Sequence, residues 1–219
     1  FGDQTQVFHA GAASCGVPGN PAGIEWVARR YGSMPLAELA APGIRLSREG
    51  VRVLPMQAYL FEILAPILTL TPEGAALYAP EGRILVEGDT FRFPDLGEAL
   101  ERLAADGAEA FYTGEPGRRI AEWVLERGGT LGPADLAAYQ PIEREPVIAE
   151  FRGAQVLTNP PPSSGGILIA YALAVLERLG GHTGVEALVE ATRAANDRRT
   201  AEFAEGLHDE SFVRGFFDD

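Results

Sequence analysis

Apolar residues recur at helical spacing along several segments of the chain. Asn20 suits a helix N-cap, apolar residues follow on one face, and Gly32 supplies the stop. A second segment begins at a capping-box pair, Asp95 and Glu98, and keeps helical spacing until Gly107. Both patterns predict amphipathic helices.

Two more helices are predicted further along the chain. Thr113 opens one of them, with Pro116 in its first turn. Thr183 and Glu186 form another capping box, which predicts a long helix toward Gly206. The side chains that we expect to face inward are Ile120, Trp123 and Val124 in the first helix and Val185, Leu188 and Val189 in the second.

The clearest strands precede an unusual loop. The segments EPVIAEF and AQVLTN flank Arg152-Gly153, a two-residue connection that predicts a β-hairpin. The loop PPPSSGG, Pro160 to Gly166, follows, and its prolines predict a stiff extended segment that cannot itself be helical. Ile167 to Leu176 is apolar on every face, which predicts a helix covered on more than one side. The fold class is therefore α/β and helix-rich.

Composition narrows the possible partners. The 219 residues carry 31 acidic and 18 basic side chains, a formal charge of −13, and every basic residue is arginine. Nucleic acid and anionic membranes need a positive surface, so neither is an expected partner. No apolar run reaches the ~20 residues of a membrane span.

The residues that usually carry chemistry are sparse and scattered. Cys15 is the single cysteine, and His9, His182 and His208 lie far apart, so we expect no metal site. A nucleophile elbow and the glycine-rich nucleotide motifs are absent from the sequence. We therefore predict no cofactor and assign no catalytic residue.

One place remains as a candidate site, the start of the helix after PPPSSGG. Ser163, Ser164, Gly165 and Gly166 would present exposed backbone N–H groups, which either cap the helix or face a ligand. Both interpretations stay open from the residues alone. If Gly165 permits a close backbone contact, Gly165→Val should damage folding more than Ser163→Ala.

The order of several longer motifs resembles the γ-glutamyltransferase, or γ-glutamyltranspeptidase, family. The similar segments are GVPGNPAGIEWVARRYGSMPLAELAAPGIRLSREG, the stretch from FRFPDLGEAL to PIEREPV, PPPSSGG after its hairpin, ALVEATRAANDRR and DESFV. Each motif alone encodes a cap or a turn, but together they cover nearly the whole chain in collinear order.

The resemblance implies an N-terminal-nucleophile hydrolase with a four-layer αββα sandwich. Residues 1–219 would then be the middle and later part of the large subunit, a helix-rich segment with an incomplete share of the sheet. The family's nucleophile is a threonine of the small subunit, expected beyond Asp219, and its carboxylate-binding arginine precedes the GVPG motif. No catalytic residue is therefore carried over to this chain.

Further expectations follow from the same resemblance. The partner would be the threonine-bearing small subunit cut from the same precursor, and the substrates glutathione and other small γ-glutamyl compounds. The segment alone should be inactive, and apolar Ile167 to Leu176 should drive its self-association. Family members are often periplasmic or secreted, but this segment carries no signal peptide to decide the compartment.

Two other functions stay open at this point. The chain could belong to a related acylase that acts on another amide, such as a cephalosporin-type substrate. It could instead be a non-catalytic subunit that assembles through its apolar helix.

Overall fold

The computed structural model describes residues 7–180 and 184–216, and this part of the chain is a helix-rich α/β structure with few strands. Its four strands form two antiparallel pairs. The chain divides into two compact units, Phe1–Pro141 and Ile142–Asp219.

The first unit is built mainly from helices. Its strands are β1 (Val51–Arg52) and β2 (Thr90–Phe91), which pair with each other. Its helices are α1 (Asn20–Tyr31), α2 (Leu36–Glu49), α3 (Pro55–Leu68), α4 (Pro72–Tyr78), α5 (Pro94–Asp106), α6 (Glu115–Glu126) and α7 (Pro133–Ala137). Its core consists of Leu103, Ala108, Tyr112, Ala121, Val124, Leu131 and Leu136.

The core of this unit also holds the loop before α1 in place. The Tyr112 hydroxyl donates to the carbonyl oxygen of Pro18 at 2.7 Å and accepts from the Ala22 N–H at 3.2 Å. Burial raises the pKa of Tyr112 above its usual value, because the charged phenolate would lose its hydration. Tyr112 also stacks on Tyr139 with the ring centroids 5.4 Å apart.

The three helices predicted for this unit are present, but their starts differ from the predicted ones. Gly19, not Asn20, is the N-cap of α1. Helix α5 begins at Pro94, so the predicted capping box of Asp95 and Glu98 is absent. Helix α6 begins at Glu115 rather than Thr113. The predicted inward-facing side chains of α6 are confirmed, since Val124 is buried and Ile120 and Trp123 pack against the core.

The described part of the second unit contains the predicted hairpin and four helices. Its elements are β3 (Val147–Phe151), β4 (Ala154–Thr158), α8 (Ser164–Arg178), α9 (Val185–Asp197), α10 (Ala201–Gly206) and α11 (Glu210–Gly215). Arg152 and Gly153 connect the strands at φ values of 52° and 77°, as a tight hairpin turn requires. Its core consists of Ile167, Leu168, Tyr171, Ala195, Phe203, Leu207 and Phe216.

Helix α8 confirms the prediction of a helix covered on more than one side. Within its apolar run, Ile167, Leu168, Ala170, Tyr171 and Leu176 are buried. Ile169, by contrast, is 54% exposed. This helix therefore offers much less apolar surface for self-association than the sequence suggested.

The prediction of one long helix that extends toward Gly206 is wrong. Helix α9 ends at Asp197, and the Thr200 hydroxyl accepts a hydrogen bond from the Phe203 N–H to begin α10. The prediction of which side chains of α9 face inward is also wrong, because Val185, Leu188 and Val189 are exposed whereas Ala191 and Ala195 are buried. Thr183 lies outside the described residues, and the N-cap of α9 is Gly184, with Glu186 in the first turn of the helix.

Along the described ranges, no helix has the length and apolar character that a membrane crossing needs.

Candidate functional site

The PPPSSGG loop joins the hairpin to α8, as the sequence indicated. Ser163 occupies the N-cap position with an extended backbone, but its side chain makes no capping hydrogen bond. Its N–H donates to the carbonyl oxygen of Pro160 at 3.1 Å, which closes the loop before the helix begins. The Pro161-Pro162 peptide bond is cis. The helix start is thus shaped by the backbone rather than by a serine cap.

Gly166 makes the closest backbone contact in this loop. A Cβ on Gly166 would overlap the carbonyl oxygen of Asn159 and lie 2.7 Å from its nitrogen. A Cβ on Gly165 would meet nothing nearer than the Ser163 hydroxyl oxygen at 3.9 Å. The expectation that Gly165 permits the close contact is therefore wrong, and Gly166 has that role.

A side chain from the hairpin fixes the same turn of α8. The Thr158 hydroxyl donates to the carbonyl oxygen of Gly166 at 2.9 Å. At the other end of the hairpin, the Arg152 N–H donates to the Glu177 carboxylate at 3.0 Å. Helix α8 is thus hydrogen-bonded to the hairpin near both of its ends. Sequence reasoning missed Thr158, because a threonine at a strand end gives no local signal of a partner eight residues away.

The four candidate residues lie together but differ in exposure. Ser163 and Ser164 are half-buried, Gly165 is exposed and Gly166 is buried. In the described ranges, no group of three or more His, Cys, Asp or Glu side chains is placed to hold a metal. His9, His208 and Cys15 are exposed, and His182 lies outside those ranges. The site therefore offers hydroxyl and backbone N–H groups.

Two surface grooves lie in the first unit. One, of about 700 Å³, runs between α1, α2 and α5 and is lined mainly by apolar side chains such as Ile24, Val27, Leu39 and Leu100. The other, of about 620 Å³, is lined by both apolar and charged side chains. There Arg102 donates to Glu115 at 2.8 Å, and this hydrogen bond lowers the pKa of that carboxyl. Arg102 and Glu115 therefore pair with each other.

Comparison with known proteins identifies the family of this chain. The model of the gamma-glutamyltranspeptidase family matches residues 2–215. The chain belongs to the gamma-glutamyltranspeptidase family. The glutathione hydrolase proenzyme of Escherichia coli K12 is 34% identical over 207 residues, which cover 91% of this chain and 35% of that relative.

Two further comparisons show similarity in sequence and in fold. The Acylase ACY 1 proenzyme of Pseudomonas sp. strain V22 is 34% identical over 211 residues, 93% of this chain and 37% of that protein. The solved gamma-glutamyltranspeptidase of Helicobacter pylori matches with a TM-score of 0.78 at 27% identity, over 95% of this chain and 65% of that one. The chain thus spans little more than a third of the length of these curated relatives.

Proposed function

We propose that this chain is part of an enzyme that cleaves γ-glutamyl amide bonds in glutathione-type substrates and passes the γ-glutamyl group to water or an amine. The family match over residues 2–215, together with 34% identity to a glutathione hydrolase proenzyme, carries this proposal. Residues 1–219 are then a partial large-subunit domain. Its partner is the threonine-bearing small subunit of the same precursor.

The proposed chemistry is covalent and takes place at that threonine. Its hydroxyl oxygen attacks the γ-carbonyl carbon while its own α-amine accepts the hydroxyl proton. The C–N bond then breaks, and the leaving amine takes the proton with it. Water or an acceptor amine attacks the resulting ester, which releases glutamate or a new γ-glutamyl amide and regenerates the threonine.

In this proposal the chain itself contributes the start of α8 to the substrate side of the site. The first-turn N–H groups of a helix lie at its positive end and favour a carboxylate such as the α-carboxylate of a γ-glutamyl group. The Ser163 hydroxyl is not used for capping, and the Gly166–Asn159 contact holds the turn in place. Ser163, Ser164, Gly165 and Gly166 are therefore the proposed substrate-proximal residues.

Steady-state kinetics of the processed precursor test this assignment. Ser163→Ala or Ser164→Ala should raise KM for a γ-glutamyl anilide several-fold and leave kcat nearly unchanged. The reason is that such a hydroxyl would stabilise the bound substrate and the transition state equally. Ser47→Ala is the matched control, since its hydroxyl donates to Ile44 within α2. An unchanged KM in both serine variants would remove Ser163 and Ser164 from the proposed site.

A second candidate is an acylase that prefers another amide. The 34% identity to an Acylase ACY 1 proenzyme favours it specifically. Parallel assays with a γ-glutamyl anilide and a cephalosporin-type side-chain amide distinguish the two functions. We expect the higher kcat/KM for the γ-glutamyl donor. The reverse preference would support the acylase and contradict the first proposal.

A further inference from the structure

Arg198 contacts two aromatic rings that belong to different elements of the second unit. It is the C-cap residue of α9, and its guanidinium carbon lies 5.1 Å from the ring centroid of Tyr171 on α8. The same carbon lies 5.0 Å from the ring centroid of Phe216, which follows α11 and is buried. The two ring centroids are 5.5 Å apart. One cation therefore holds the ends of α9 and α11 against α8.

Arg198 also holds the main chain at Phe216. Its Nη2 donates to the carbonyl oxygen of Phe216 at 3.3 Å. The Phe216 ring packs in addition on Phe203 and Phe212, with ring centroids 4.9 and 6.1 Å apart. These ring contacts fix the side chain, whereas the hydrogen bond fixes the backbone. Arg198 thus holds the main chain at the point where it leaves α11.

This contact connects two parts of the proposed reaction. The start of α8 is the proposed substrate side of the site, and Tyr171 lies on the same helix. In the proposed function, the main chain continues from Phe216 toward the segment whose threonine is the nucleophile. Arg198 therefore joins the helix proposed to hold the substrate to the chain proposed to lead to the nucleophile.

We propose that Arg198 is a positioning residue for this reaction. By holding the main chain at Phe216 against α8, it sets where the threonine lies relative to the bound γ-glutamyl group. It acts through the Phe216 backbone and does not touch the substrate. This inference rests on the proposed function.

The chemistry of the side chain explains why arginine is needed at this position. A planar guanidinium can face aromatic rings and still donate from its edge to a carbonyl oxygen. A lysine ammonium is a compact point charge on a flexible stem, so it can lie near the rings but lacks this planar fork. Lysine should therefore replace Arg198 only in part.

Two steps depend on the position of the threonine. In self-cleavage, its hydroxyl oxygen bonds to the preceding carbonyl carbon, that C–N bond breaks, and the hydroxyl proton passes to the departing nitrogen, which becomes the α-amine. Water then hydrolyses the ester, which leaves a carboxylate on the large subunit and restores the hydroxyl. Turnover uses the same hydroxyl and amine. A displaced threonine should slow both steps, whereas binding of the substrate at the start of α8 should change little.

Self-cleavage rates and steady-state kinetics of the longer precursor test this role. Arg198→Ala should slow self-cleavage, and lower kcat of the cleaved enzyme, by about tenfold or more, while KM for a γ-glutamyl anilide stays within about twofold of wild type. Arg198→Lys should recover part of both rates. Arg127→Ala is the matched control and should leave both rates unchanged. Arg127 is the C-cap residue of α6, lies over the Trp123 ring at 4.4 Å and donates to the Trp123 carbonyl at 3.2 Å.

Melting temperatures of the same variants separate this role from a purely structural one, with all rates measured well below the unfolding transition. An Arg198→Ala precursor that melts earlier but keeps wild-type rates would overturn the inference, and so would a raised KM at constant kcat. If Arg198→Ala does not fold, Arg198→Lys provides the same comparison. A wild-type precursor that neither cleaves itself nor turns over the anilide would instead contradict the proposed function, and this inference with it.

Discussion

Gly166 allows the first turn of α8 to pack closely against the backbone of Asn159. Its α-carbon lies so close to the Asn159 carbonyl that any side chain would overlap it, and its own carbonyl accepts the Thr158 hydroxyl. A Cβ on the neighbouring Gly165 would meet nothing closer than the Ser163 hydroxyl oxygen at 3.9 Å. Two adjacent glycines in one motif therefore have different functions.

Alanine at each glycine should separate these functions. Gly166→Ala adds a methyl group where backbone already lies, and overpacking of this kind costs typically 1–3 kcal/mol. Gly165→Ala, in the first turn of a helix with free space around it, should be neutral or stabilise by up to ~1 kcal/mol. Urea unfolding of both variants measures the difference. Greater damage from Gly165→Ala would contradict the geometry.

Asp89 gives a prediction with a defined pH window. Arg83 and the Val86 N–H donate to its carboxylate and lower its pKa from 3.8 to about 2. A carboxyl with a lowered folded-state pKa stabilises the fold above its unfolded pKa, and this contribution is lost as the pH falls through the folded value. Asp89→Asn should therefore be less stable than wild type at pH 7.

In acid, Asp89→Asn should become nearly as stable as wild type. The gap in melting temperature between Asp89→Asn and wild type should narrow between about pH 4 and pH 2. Thermal melts across this range make the measurement, with Asp106→Asn as an exposed control. A gap that stays constant down to pH 2 would mean that the Arg83 contact does not form in solution.

At the level of single residues, the sequence could show that the loop needs glycine but not which glycine. Gly165 and Gly166 have nearly the same local surroundings, and Asn159 distinguishes them only after the hairpin folds against α8. Thr158 is another example, because its hydroxyl finds its acceptor through that same packing.

Helices and strands were more predictable than their ends. The hairpin and the helices α1, α5, α6 and α8 follow from periodicity and turn residues. The first residues of these helices were predicted less accurately. Helix α5, for example, begins at Pro94, one residue before the expected cap. The predicted helix toward Gly206 failed because Thr200 caps a new helix, and a local cap competes with continued periodicity.

The break between α9 and α10 can be tested with two threonines. Thr200→Ala removes the bond from the Phe203 N–H and should cost ~1 kcal/mol. Thr192 lies within α9, where its hydroxyl only donates back to the Leu188 carbonyl, so Thr192→Ala should be neutral or slightly stabilising. Chemical denaturation compares them. Equal losses from both changes would show that Thr200 is not a cap.

For the whole molecule, the order of motifs revealed the family although no single motif did. The burial of apolar faces was harder to predict, because periodicity identifies a face but not what covers it. Ile167 is buried as expected, whereas Val185 is exposed. The division into two units also escaped prediction, since no linker composition marks the boundary at Pro141.

The most direct test compares the 219-residue chain with the longer precursor that carries the proposed flanking segment and threonine subunit. Both are assayed for release of a chromophoric amine from a γ-glutamyl anilide, and mass spectrometry locates any covalent γ-glutamyl group. The precursor should cleave itself, turn over the substrate and carry the acyl group on the new N-terminal threonine, while the chain alone shows no turnover. Turnover by the chain alone that disappears in Ser163→Ala or Ser164→Ala would contradict the threonine mechanism.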